Sequence, residues 1–274
     1  MDELKKLYSD SSKHSVYQNI PDFVAKEIDY KEEIDSGWRD DRIRLEYLLK
    51  HVQPKSGESW GDFGANTGFF TLTLANENRD TNFVAIEAND NHAQFIQTIK
   101  SAFDLNNVSV MGAVALDELD TIPKTDFMLH LNVLHHAGHD FDADKLTSID
   151  GFPEYAVAYL NKLGLRVNRM LFQIGSNWGG DKSLPLVPVP DDFDKLKLFA
   201  DILIESGWKF DAVSFPTKVD GNVMYVDIPD MVLNALNENR IGDVESDLNS
   251  YFQTVRLEQF PGEFYRRALF ICSH

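Results

Sequence analysis

From Glu58 onward, short apolar runs alternate with longer stretches of helical periodicity. Ser59–Phe63, Phe83–Glu87, Val108–Val114, Phe127–Asn132, Met170–Ile174, Ala212–Phe215 and Tyr265–Cys272 have the length and composition of strands. Gly68–Asn76, His92–Phe103, Pro153–Leu163 and Phe193–Ser206 lie between them with apolar residues at helical spacing. This alternation predicts an α/β fold, a mostly parallel seven-stranded sheet with helices on both faces. Ile228–Gln259 carries Met231, Leu233 and Leu236 and reads as a helical insertion between the last two strands. It is too long for an ordinary connection, so it is a candidate cap over a site. Before Pro54, the spacing of Leu45, Leu48, Leu49 and Val52 predicts a helix. Ser12–Gln18, polar and aromatic, reads as a loop or short helix. The expected organisation is a helical lid or extension over residues 1–54 and a main domain over 55–274, with the insertion at about 228–260.

Composition narrows the function classes. The chain has 274 residues, 43% of them hydrophobic and 26% charged, enough for a packed core. Its single cysteine, Cys272, excludes an intramolecular disulfide and a Cys-rich zinc module, and fits a reducing, cytoplasmic setting. No apolar segment near the N-terminus reads as a signal peptide, and no run has the roughly 20 apolar residues of a membrane helix. The net charge of −18 repels phosphate backbones, so DNA and large RNA are not expected partners despite the local arginines at 39, 42, 44, 266 and 267.

The most informative stretch is Trp60-Gly-Asp-Phe-Gly-Ala-Asn-Thr-Gly-Phe-Phe. A strand ends at Asp62, a tight turn follows, and a helix begins near Thr67. Gly64 and Gly68 permit the sharp turn and a close ligand approach. The next strand ends about 20 residues on in Glu87, where a carboxylate can accept both hydroxyls of a ribose. A pyrophosphate fingerprint would have glycine in the middle position, where Asn66 stands. Asp62 would also repel a pyrophosphate but attract an ammonium group. That charge logic favours S-adenosylmethionine, which has an amino-acid end and no phosphate, over NAD.

These residues resemble the class I S-adenosylmethionine-dependent methyltransferases, a Rossmann-like superfamily. Asp62 to Gly68 is similar to their first motif, Glu87 to the acid ending their second strand, and Asp126 to His136 to their fourth-strand motif. Phe-Tyr-Arg-Arg-Ala-Leu-Phe-Ile-Cys is similar to their last strand, which in that family runs antiparallel between strands five and six. The resemblance implies that Asp62, Gly64, Asn66 and Gly68 line the methionine end of S-adenosylmethionine. It implies that Glu87, with Ala88 beside it, holds the ribose and that Asn132 lies near the methyl group. Many relatives carry an adenine-binding acid after the third strand; here Met111-Gly112-Ala113-Val114 has none, which leaves Met111 or Ala113 to contact adenine by packing or backbone.

His135, His136, His139 and Asp140 follow the fourth strand, and ligands of open α/β sheets bind beyond the carboxyl ends of strands. Three readings stand open. His135 or His136 is the base that deprotonates, or a group that binds, the acceptor. The histidines are structural. Or the cluster holds a metal, although the methyl donor needs none and adjacent histidines point apart. Arg39 or Arg42 is a candidate clamp for the donor's carboxylate, against a solvated helix face. Tyr17, with His14 and Gln18, is a candidate lid over the site, against a plain surface segment. Trp178 is a candidate wall of the acceptor pocket, against a packed tryptophan in a glycine-rich turn. Arg266, beginning the last strand with Tyr265 and Arg267, suits an acceptor bearing phosphate or carboxylate, against an ordinary edge-strand charge.

The expected activity is methyl transfer to oxygen or nitrogen of a small polar acceptor. The overall layout further resembles bacterial methyltransferases that decorate surface carbohydrates or their phosphorylated substituents. An NAD-dependent oxidoreductase and a non-catalytic S-adenosylmethionine-binding regulator are the rivals. The oligomeric state is not readable from the sequence.

Overall fold

The computed structural model describes residues 19–27, 41–187 and 191–274. Among them eight strands form one mixed sheet: β1 (Ser59–Phe63), β2 (Asn82–Ile86), β3 (Val108–Met111), β4 (Phe127–Leu131), β5 (Arg169–Gln173), β6 (Lys209–Val219), β7 (Asn222–Asp227) and β8 (Leu269–Ser273). Their order is β3-β2-β1-β4-β5-β8-β6-β7. The helices are α1 (Asp22–Glu27), α2 (Asp41–His51), α3 (Phe69–Glu77), α4 (Asp90–Ala102), α5 (Phe152–Gly164), α6 (Asp192–Glu205), α7 (Asp230–Asn237) and α8 (Glu245–Thr254). The chain divides into two compact units, one drawn from Met1–Val114 and Thr125–Leu129, the other from Ala115–Lys124 and His130–His274.

In the first unit β1, β2 and β3 are parallel, with Asp62 level with Ala85 and Ile86 level with Met111. Trp60 to Phe63 and Phe83 to Ile86 are buried without alternation, as strands covered on both faces must be. Trp60 stacks on Phe127 at 4.5 Å and donates its indole N–H to Glu58. Gly61 sits mid-strand because a Cβ there would lie 2.5 Å from Met128 Cε. α4 begins at Asn89, whose side chain accepts from the amides of Asn91 and His92, and it buries Phe95, Ile96 and Ile99 at helical spacing.

α2 forms where the leucine spacing predicts it, but it buries a different stripe. Asp41, Arg44, Tyr47 and Leu48 face inward, and Leu45 and Leu49 are half-buried. The charged members pair: Arg44 donates to Asp41, whose other oxygen accepts the amide of Asn19 at 3.0 Å. A satisfied ion pair, Asp41 with Arg44, joins the expected Leu48 on the inward face.

In the second unit β8 runs antiparallel to both β5 and β6, the arrangement the resemblance implies. The sheet has eight strands where seven were expected, because β6 continues to Val219 and doubles back as β7 through Asp220 and Gly221, both at positive φ. The last strand starts at Leu269 and not at Tyr265, since Glu263–Arg266 is a 3₁₀ turn. The insertion is helical, as its pattern predicts, and contains α7 and α8. Asn237 of α7 exchanges two hydrogen bonds with the Phe210 backbone of β6, and the Tyr251 hydroxyl of α8 donates to Val226 O of β7 at 2.6 Å. No helix among the described residues is long and apolar enough to cross a membrane.

Candidate functional site

Within the first unit, the turn after β1 uses three left-handed residues. Gly64, Asn66 and Gly68 have φ of 72°, 52° and 85°. Glycine adopts this region freely, and asparagine more readily than most residues. A Cβ at Gly68 would also lie 2.8 Å from Ile96 Cγ1. Glu87, buried at the end of β2, organises the turn: Oε2 accepts the Asn66 amide at 2.6 Å and Oε1 the Asn89 amide at 2.8 Å. His92 Nδ1 lies 3.7 Å from Oε1. One carboxylate therefore fastens the glycine turn to the start of α4. Each of its oxygens keeps lone-pair capacity beyond these bonds.

Asp62, the second-last residue of β1, is 5% exposed. It accepts the Thr71 hydroxyl at 2.7 Å and the Thr71 backbone amide as well. Gly68, the residue before α3, has no side chain to cap the helix, so Asp62 satisfies one of its orphan amides from the strand. Burial pushes the Asp62 carboxyl up to about 7, against the lowering effect of both Thr71 bonds and with help from the charges of Glu87 and Asp41. Ala88 and Ala113 are exposed, and open space surrounds the missing Cβ of Gly112. Arg39, Tyr17, His14 and Gln18 lie outside the described residues; Arg42 pairs with Asp22 on the surface.

Within the second unit, Asn132 follows β4 at φ 60°, with its amide held at both ends. Arg267 Nη1 donates to Oδ1 at 2.7 Å, and Nδ2 donates to Gln173 Oε1 at 2.9 Å. Arg267 also forks onto Glu263, at 2.9 and 2.7 Å, and Glu263 Oε1 accepts the Ser176 amide at 2.9 Å. Burial works to raise the Glu263 carboxyl, but the Arg267 bonds and charge, with the Ser176 amide, bring it below the usual carboxylate range.

The histidines separate. His135 is buried, and its Nδ1 accepts the Gly175 amide at 3.3 Å. His136 is about one-third exposed, with Nδ1 2.9 Å from Asp140 Oδ2. His139 packs on Trp178 at 4.4 Å between ring centres. No group of three or more His, Cys, Asp or Glu among the described residues is placed to hold a metal ion. Trp178 is buried and donates its indole N–H to Ala137 O at 2.7 Å. Arg266 bonds to Phe260 O, Glu258 O and Asp192, bracing the end of the insertion against α6. It lines a cavity of about 390 Å³ with Ser176, Asn177, Lys195, Phe260 and Glu263.

The strand order, with its antiparallel strand between β5 and β6 and a glycine turn after β1, decides the fold. The chain has the class I methyltransferase fold. This methyltransferase fold is shared with WbdD, described as a bifunctional kinase-methyltransferase, at TM-score 0.51 and 15% identity over 82% of this chain and 45% of that one. The chain thus spans under half the length of WbdD. It is shared also with StiE O-MT residues 961–1257, at TM-score 0.50 and 10% identity over 93% of this chain and 82% of that one. No protein-family model matches the sequence, and no curated protein does.

Sequence reasoning named Arg267 only beside Arg266, as a charge suited to an acceptor, and passed over Glu263, Gln173 and Thr71. Arg267 and Glu263 pair locally, four residues apart, but their bonds to Asn132, Gln173 and Ser176 join distant segments. Thr71 had a local signal, a hydroxyl in the first turn of the helix that follows the glycine turn.

Proposed function

We propose that the protein is a methyltransferase that takes its methyl group from S-adenosylmethionine and passes it to oxygen or nitrogen of a small polar acceptor. The observation that carries this reading is the pair of buried carboxylates, Asp62 and Glu87, near the ends of adjacent parallel strands, with Glu87 bonded to a turn of three left-handed residues that follows β1. The donor set suits this ligand. Two acids complement an ammonium group and a ribose diol, and they would repel a pyrophosphate. Glu87 would hold the ribose, and Asp62 the ammonium. Gly64, Asn66 and Gly68 would present backbone to the methionine end, and Ala88 and Ala113 would flank the adenosine. By resemblance, Asn132 is assigned to the methyl end. When bound, the donor supplies an electrophilic methyl group on a sulfonium.

The chain's own contribution on the acceptor side centres on His136. Its Nδ1 lies 2.9 Å from Asp140 Oδ2, and an imidazole oriented by a carboxylate is a side chain suited to take a proton from a hydroxyl or ammonium acceptor. His135 spends Nδ1 on the Gly175 amide, so its reading is positional. Arg266 and Trp178 remain candidates for the acceptor wall. Surface-carbohydrate precursors and their phosphorylated substituents are the acceptor class to screen first, in a cytoplasmic setting.

Isothermal titration calorimetry with S-adenosylmethionine, S-adenosylhomocysteine and NAD tests the reading. Micromolar binding of the first two without NAD is expected. Binding of NAD alone, or of none of the three, would overturn it.

A further inference from the structure

We propose that Thr71 is a positioning residue for the methyl donor, its hydroxyl holding the Asp62 carboxylate in the form that receives the donor's ammonium group. The inference rests on the reading above, in which Asp62 takes that ammonium. Its geometry is local to the first unit. Thr71 and Asp62 are 1% and 5% exposed, and their oxygens lie 2.7 Å apart. The threonine stands in the first turn of α3, three residues beyond Gly68, so one residue offers both a backbone amide and a hydroxyl to the same carboxylate.

Among the described residues, two further charges bear on its ionisation. Glu87 approaches from the end of β2 and Asp41 from α2, and both oppose a negative charge there. Arg44 pairs with Asp41. The hydrogen bonds of Thr71 are what favour the ionised form. Without the hydroxyl, the carboxyl keeps its proton to higher pH, and a protonated carboxyl attracts an ammonium weakly. Thr71 would thus set the pH range over which the donor binds tightly, although it touches no part of the donor.

The test is the pH dependence of S-adenosylhomocysteine binding, between pH 5.5 and 8, in the full chain and in Thr71→Val and Thr71→Ser. 5′-Methylthioadenosine, which has the nucleoside but no ammonium group, is the second probe. In the natural protein, affinity for S-adenosylhomocysteine should improve as pH rises toward 7 and then level. In Thr71→Val the same curve should move up by about one pH unit, giving about five- to tenfold weaker binding at pH 6.5. Thr71→Ser should restore the original curve, and 5′-methylthioadenosine should bind all three proteins alike at every pH. An unshifted curve in Thr71→Val, or equal weakening of both probes, would overturn the proposal. If Thr71→Val does not fold, Thr71→Ser still decides, because a hydroxyl role requires its curve to match the natural one and a packing role of the lost methyl does not. Absence of S-adenosylhomocysteine binding by the natural protein at any pH would instead defeat the donor assignment itself.

Discussion

Arg267, at the approach to β8, donates through Nη1 to Oδ1 of Asn132, at the end of β4, across 2.7 Å and 135 residues of sequence. Arginine can only donate, so this bond fixes which end of the Asn132 amide is oxygen. The polarity then runs on: Asn132 Nδ2 donates to Gln173, and Gln173 Nε2 donates to Tyr225 and back to Arg267 O. A strained left-handed asparagine is held by this chain of bonds.

Removal of the arginine should therefore be costly. Arg267→Gln leaves Glu263 without its fork and loosens Asn132 and the Ser176 amide together. The side chains of Arg267 and Glu263 are 10% and 22% exposed, so the expected loss is about 2–4 kcal/mol, below that for a fully buried pair. Urea denaturation measures it, and a loss under about 1 kcal/mol would show that solvent replaces the pair. The Glu263 carboxyl is held below its unfolded value, so its stabilisation is present above about pH 4.3 and lost as pH falls through the folded value. The acid limb of the stability curve should be shallower in the variant.

Glu87→Ala removes the acceptor for two backbone amides as well as the expected ribose contact. Donor affinity should fall at least about tenfold, since hydrogen bonds to a charged group are worth about 1.5–3 kcal/mol. Glu87→Gln, which keeps one acceptor oxygen, should lie between. An unchanged dissociation constant in calorimetry would contradict the ribose assignment.

The Asp62 carboxyl predicts a pH-dependent stability difference. Its folded value, about 7, lies above the unfolded value near 3.9, so between these the native protein holds the extra proton. The contribution is fully present below the unfolded value and is lost as pH rises through 7. Asp62→Asn abolishes that loss. Relative to the natural protein it should gain stability by up to about 1.4 kcal/mol per pH unit between pH 5 and 7, levelling above. Chemical denaturation at pH 5, 6, 7 and 8 gives the slope, and a difference independent of pH would place the carboxyl at an ordinary value.

Gly68→Ala combines a left-handed backbone with a Cβ 2.8 Å from Ile96 Cγ1 and 3.0 Å from Leu72 Cδ1. The expected cost is about 1–3 kcal/mol. Stability and donor affinity should fall together, because in the proposed site the same turn serves both. A neutral substitution would mean that α3 can shift away from α4.

The sequence by itself determined the local elements and pointed to the donor-side residues proposed above. β1, the glycine turn and the acid after β2 lie in one stretch of about 30 residues, where hydrophobic period, glycine positions and a strand-ending carboxylate are all short-range signals. The helical insertion was legible for the same reason. The eighth strand was not: β7 has only half-buried and exposed residues, so its pattern carries no core signal, and it exists because β6 turns back on Gly221. Only the tertiary structure decided which side chains meet. It gave α2 a buried Asp41–Arg44 pair beside the expected Leu48, set His135 on the Gly175 amide and His136 on Asp140, and brought Arg267 to Asn132. Hydrogen-bond partners far apart in sequence leave no periodicity behind, because their meeting depends on strand order and register.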